Sequence, residues 1–192
     1  VTEEVLGDGL PDAAVLVLPD LICVSESSRR SIRKQLDIGR GIIATGPVGL
    51  RDERGMLRDW DFLGFLADLQ QPGIQATEEP VFASFRGDTI YSDSLPGGYR
   101  LSVKSQDLTV GQAAAPDAYW SDWKLRPEGR NILAASLATH THHGEGRVVW
   151  FGFNPAQSAI TSVPELLLSP LRWTGHVPVV VKANWPEGKT AG

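Results

Sequence analysis

The chain has one cysteine in 192 residues, and Cys23 alone cannot close an internal disulfide. Cysteine usage therefore neither demands nor excludes an oxidising compartment. Basic residues are also sparse. Lys and Arg total 18 against 23 Asp and Glu, and they are spread too thinly to form the stripe that a phosphate backbone requires, which argues against nucleic acid as a partner. No apolar run approaches the ~20 residues of a membrane-spanning helix. The opening VTEEVLGDGL lacks the basic-then-apolar layout of a signal peptide. Internal repeats and low-complexity tracts are likewise missing.

What is present suits one large domain: 42% of the residues are apolar, enough for a real core, and the net charge is -5. The chain opens on Val1 rather than Met and closes on the polar NWPEGKTAG, so both ends read as cuts in a longer protein. The expected layout is a domain over residues 1–175, with a β-rich extension at about 80–125, and a tail or the start of a following domain at 176–192.

AAVLVL at 13–18 is a continuous apolar run of the kind found in a parallel strand covered on both faces, stopped by Pro19 and Asp20. Ser25 then caps an expected amphipathic helix with Ile32, Leu36 and Ile38 as its apolar positions, ended by Gly39 and Gly41. Ile42 to Thr45 forms a second buried strand, completing a right-handed strand, helix, strand crossover. A helix is expected from about Asp59 to Leu69, closed by Pro72 and Gly73. Short strands, several of them antiparallel, follow in VFASFRGDTIY, GYRLSVKSQDLTV and AYWSDWKL. NILAASLA at 131–138 reads as another strand, HTHHGEG at 140–146 as a turn, and RVVWFGF at 147–153 as the strongest strand signal of all. A broken helix at 157–171 and a short strand in VPVVV close the chain.

Four candidate sites emerge, each with a bland reading beside it. GIIATGPVGL at 41–50 has the shape of a strand-to-helix elbow, where many α/β enzymes hold a nucleophile, but its tip of Gly46, Pro47, Val48 and Gly49 offers none, and the nearest hydroxyl is Thr45. The same turn could cradle an anion, although it lacks the Lys and Ser/Thr of a P-loop. Arg51 and Asp52, with Glu53, Arg54 and Arg58, could line a cleft at the strand ends or form a solvated loop with local ion pairs. His140, His142 and His143 are the one dense titratable cluster. If the strand reaches His142, His140 and His142 share a face and could share a metal with Glu145; otherwise they are imidazoles in a polar hairpin turn. Tyr119, Trp120 and Trp123 could stack on sugar rings or be buried aromatics of an edge strand.

PDAAVLVLPD, a helix, GRGIIATGPVGLRDERG, a Trp/Phe-rich helix and GEGRVVWFGFNP, in that order, resemble the class I glutamine amidotransferase-like superfamily. The branch they look most like is the β-galactosidase trimerisation-like domains of carbohydrate-active proteins. The likeness covers roughly residues 12–155 and includes SDSLPGGYRL. It implies a three-layer α/β fold, flavodoxin-like in outline, with a mainly parallel sheet and an antiparallel β extension. Catalytic members of that superfamily place a Cys at the elbow and a His/Glu pair late in the domain. Here the elbow is Gly46, Pro47 and Val48, the late segment is GFNPAQS, and Cys23 lies one crossover too early. The resemblance thus implies a non-catalytic accessory or interaction domain with no cofactor, and an oligomer is among its expectations.

The tail VPVVVKANWPEGKTAG is similar to the lead-in of a NodB-type polysaccharide deacetylase domain. That similarity implies a fused deacetylase, or carbohydrate, as partner, and an extracytoplasmic location. Two competing expectations remain at this point: a metal-dependent hydrolase or deacetylase using His140 and His142, and a sugar-binding module using the aromatic set.

Overall fold

A computed structural model describes residues 15–76, 81–93, 95–103, 107–121, 135–159 and 163–176. In chain order the elements are β1 (Val15–Leu18), α1 (Glu26–Asp37), β2 (Gly41–Thr45), α2 (Asp61–Ala67), β3 (Gln70–Ala76), β4 (Val81–Phe85) and β5 (Arg100–Val103). Then come β6 (Asp107–Gln112), β7 (Ala118–Ser121), β8 (Ser136–His143), β9 (Gly146–Phe151), α3 (Pro155–Ala159) and α4 (Glu165–Gly175).

The strands join in one curled sheet with the order β1-β2-β9-β8-β7-β4-β5, and β6 pairs both β8 and β3 beside that path. The α/β class and the antiparallel extension match the expectation, but among the described strands parallel pairing is confined to β1–β2 and β2–β9. The other pairings are antiparallel, so the sheet is mixed rather than mainly parallel.

Alternation along β2 and β9 divides the core into two layers. Ile42, Ala44, Val148 and Trp150 face α1 and α2, where they meet Ile32, Leu36, Phe62, Leu63 and Leu66. Ile43, Val149 and Phe151 face the other way, toward Leu166, Leu171 and Trp173 of α4. All five residues of β2 are buried, as a strand covered on both faces must be. Ser25 caps α1 as expected, its hydroxyl accepting from the Ser28 N–H at 3.2 Å.

Several boundaries differ from the sequence reading. α2 spans only Asp61–Ala67 and ends on Asp68 in the left-handed conformation (φ 51°). Pro72 and Gly73 lie inside β3, at a register shift against β6, where a proline on an outer strand lacks only an N–H the ladder does not use. β8 runs on to His143, so the three histidines sit in a strand and the turn shrinks to Gly144 and Glu145. The last helix is two helices, and α4 accommodates Pro170 and continues past Leu171 to Gly175. The expected VPVVV strand, the start of the 131–138 strand, and Trp123 lie outside the described residues.

Candidate functional site

β1, β2 and β9 run parallel, and their carboxyl ends converge on Asp20, Thr45–Gly46 and Asn154. Open α/β sheets bind their ligands at such an edge. Here the edge is tied to itself. The Thr45 hydroxyl donates to Asp20 Oδ1 at 3.2 Å and accepts from the Asp20 N–H at 2.9 Å, and Thr45 is only 6% exposed. Asn154 Nδ2 donates to the other Asp20 oxygen at 3.3 Å. Asp20 holds this position with a left-handed backbone (φ 46°).

The turn that follows β2 is closed from every side. Its N–H groups are all committed: Gly46 to the Phe151 carbonyl at 2.8 Å, Val48 to Gly46 at 3.0 Å, Gly49 to Leu21 at 2.9 Å, Leu50 to Pro47 at 3.2 Å and Arg51 to Ile22 at 2.9 Å. An oxyanion hole needs free N–H donors at this place, and none remains between Gly46 and Arg51. Val48, at the tip, is 1% exposed. Trp150 Nε1–H donates to the Gly46 carbonyl at 3.0 Å, and the buried Arg29 of α1 donates from Nη2 to the Gly49 carbonyl. The Arg29 guanidinium also lies 5.0 Å from the centre of the Phe62 ring, against which Gly49 packs.

The turn does not lead into a helix. Gly49 (φ 72°) redirects the chain so that Arg51 bridges both Cys23 and Leu57, and α2 begins only at Asp61. The elbow geometry and the anion cradle both required a helix N-terminus here, so the structure removes the basis of each. Asp52 caps the intervening loop, accepting at Oδ1 from the N–H groups of Arg54 (2.9 Å) and Met56 (2.8 Å). The Met56 N–H above all holds its carboxyl below the usual carboxylate range. Arg58 pairs with Glu26 of α1 at 2.9 Å and with Glu53 of the same loop at 3.6 Å, so the loop's charges are engaged in exposed ion pairs.

The histidines separate by face. His140 and His142 both lie against Trp173 of α4, each with ring centroids 5.1 Å apart. His143 points to the opposite layer, where Nε2 bonds the Leu66 carbonyl at 3.2 Å and the ring meets Phe65 at 4.4 Å. Glu145 is exposed in the β8–β9 turn. No group of three or more His, Cys, Asp and Glu positioned to hold a metal occurs among the described residues. Tyr119 and Trp120 are half-buried neighbours on β7, and Trp120 packs on the core.

One residue escaped the sequence reading. Asp117, just before β7, is 0% exposed and places Oδ1 2.7 Å from His140 Nδ1. Its N–H donates to the Ala138 carbonyl at 2.8 Å and its carbonyl accepts from the Arg86 N–H at 2.9 Å, so it joins the ends of β4, β7 and β8. Burial raises its carboxyl pKa, against the opposing hydrogen bond from His140. Its Oδ2 and the buried Tyr91 hydroxyl have no hydrogen-bond partner among the described residues. In sequence only the PDAYW context, an acid at the mouth of an aromatic strand, hinted at it.

No protein-family model matches the chain, and no curated protein matches it in sequence. Solved structures do share its fold. The β-galactosidase from Bacillus circulans sp. alkalophilus matches with a TM-score of 0.65 at 15% identity, over 84% of this chain and 22% of that one. The β-galactosidase from Rahnella sp. R3 matches with a TM-score of 0.65 at 17% identity, over 96% and 27%. The GH42 β-galactosidase Gan42B from G. stearothermophilus matches with a TM-score of 0.60 at 15% identity, over 83% and 21%. This chain therefore corresponds to between 21% and 27% of each protein's length, and the likeness is one of fold.

Proposed function

We propose that this chain is a non-catalytic accessory or interaction domain of a carbohydrate-active protein, of the β-galactosidase trimerisation-like kind. The closed turn after β2 carries this reading. Where a catalytic relative would expose a thiol and free N–H groups, this chain has a buried Val48 and five N–H groups already spent on carbonyls. The shared fold with a segment of GH42 β-galactosidases supports the carbohydrate context. Purified protein should release no ammonia from glutamine above a buffer control. Release that disappears when Thr45 is replaced by Val would overturn the reading.

The finer proposal is fusion to a polysaccharide deacetylase, with an extracytoplasmic location. It rests on VPVVVKANWPEGKTAG, whose residues lie outside those described. The coding sequence beyond Gly192 tests it directly: an Asp and paired-His metal-binding motif of the deacetylase type supports the fusion, and a stop codon or an unrelated domain rejects it.

A further inference from the structure

We propose that His140 and His142 form a two-imidazole site for a borderline divalent cation, Zn2+, Ni2+ or Cu2+, with the buried Asp117 orienting His140. Residues two apart on a strand present their side chains to the same face. β8 is held in register by β9, with His140 opposite Val149 and His142 opposite Arg147, so the sheet sets the backbone separation of the two residues, and both rings lie against Trp173. Imidazole nitrogen is a ligand of choice for these metals.

Asp117 supplies the independent observation. With Asp117 ionised, Oδ1 at 2.7 Å accepts from Nδ1–H of His140, the tautomer that leaves the Nε2 lone pair available. A carboxylate on the far nitrogen is the usual support of a metal-bound histidine. Access is adequate, since the His140 side chain is 30% exposed and His142 is exposed. Trp173 forms one wall, and water would complete the coordination. Arg147 opposes the cation: its guanidinium lies 5.2 Å from the Trp173 ring centre, although Nη1 is engaged with the Trp173 carbonyl at 2.8 Å. The site therefore favours metals that bind imidazole strongly, Cu2+ first. It is a binding site, with no hydrolytic step attached to it, and it stands independently of the accessory-domain reading.

The test titrates Cu2+ and Zn2+ into protein purified without a histidine tag, by calorimetry and by tryptophan fluorescence. One cation per chain should bind, with Cu2+ quenching a signal that Trp173→Phe removes. His142→Ala should weaken binding at least tenfold, and Asp117→Asn by about 10–100-fold. Equal affinity in the original protein and His142→Ala overturns the proposal. Because Asp117 is fully buried, the unaltered protein provides a second measurement. 15N NMR should show His140 protonated at Nδ1 in the metal-free state, and a proton on Nε2 instead also overturns it.

Discussion

Trp150 closes the turn after β2 from a strand 104 residues away, its indole N–H donating to the Gly46 carbonyl at 3.0 Å. The bond lies wholly inside the protein, and the same carbonyl also accepts from the Val48 N–H. Trp150→Phe should therefore cost about 0.5–1.5 kcal/mol for the lost bond, with more for the space a smaller ring leaves. Urea unfolding at neutral pH measures it, and a change below that range would show that the indole contributes little to holding the turn shut.

Gly49 and Gly55 form a matched pair. Both have positive φ (72° and 78°), but a Cβ on Gly49 would sit 2.6 Å from the Phe62 ring, whereas one on Gly55 would meet nothing within 4 Å. Alanine at Gly55 should incur only the backbone penalty of roughly 1 kcal/mol. Alanine at Gly49 should cost visibly more, because Phe62 must shift in a packed layer. Equal losses in thermal unfolding would contradict the closed-turn geometry.

Thr45→Val keeps the shape of the side chain and removes its hydroxyl. The Asp20 N–H and Oδ1 then both lose their partner, so a loss of about 1–3 kcal/mol is expected. Val48→Ala, which leaves those bonds intact, should retain them, and amide hydrogen exchange at Asp20 distinguishes the two: faster in Thr45→Val, unchanged in Val48→Ala.

Asp117 predicts a pH dependence. Its carboxyl pKa is raised in the folded protein above the ordinary value of 3.8, mainly by burial. The folded state then binds the proton more tightly than the unfolded chain. Its contribution to stability is fully present below about pH 3.8 and is lost as pH rises through the folded pKa. In metal-free buffer, Asp117→Asn should remove this component, so the gap in unfolding free energy between the two proteins should shift across that window. A constant gap from pH 3 to pH 7 would rule it out.

Much of the fold was readable because local pattern and burial agree. VLVL, the Ser25-capped helix and GIIAT each show the periodicity of their element, and all three formed where expected. The strand content after residue 80 was readable from β-branched and aromatic residues. Pairing was not. A strand's partner depends on the whole sheet, so the sequence overstated the parallel share, and it mistook His140–His143 for a turn because polar residues on an antiparallel strand look like loop residues.

By itself the sequence determined that the turn after β2 carries no thiol, that Cys23 closes no disulfide within these 192 residues and that the fold is α/β. Only the tertiary structure decided that the turn is sealed, because the groups that seal it are Arg29, Phe62, Phe151 and Trp150, drawn from two helices and a distant strand. Asp117 and His140 illustrate the same division: 23 residues apart in the chain, they meet because β7 and β8 pair, and burial then raises the pKa of the carboxyl that shares a hydrogen bond with the imidazole.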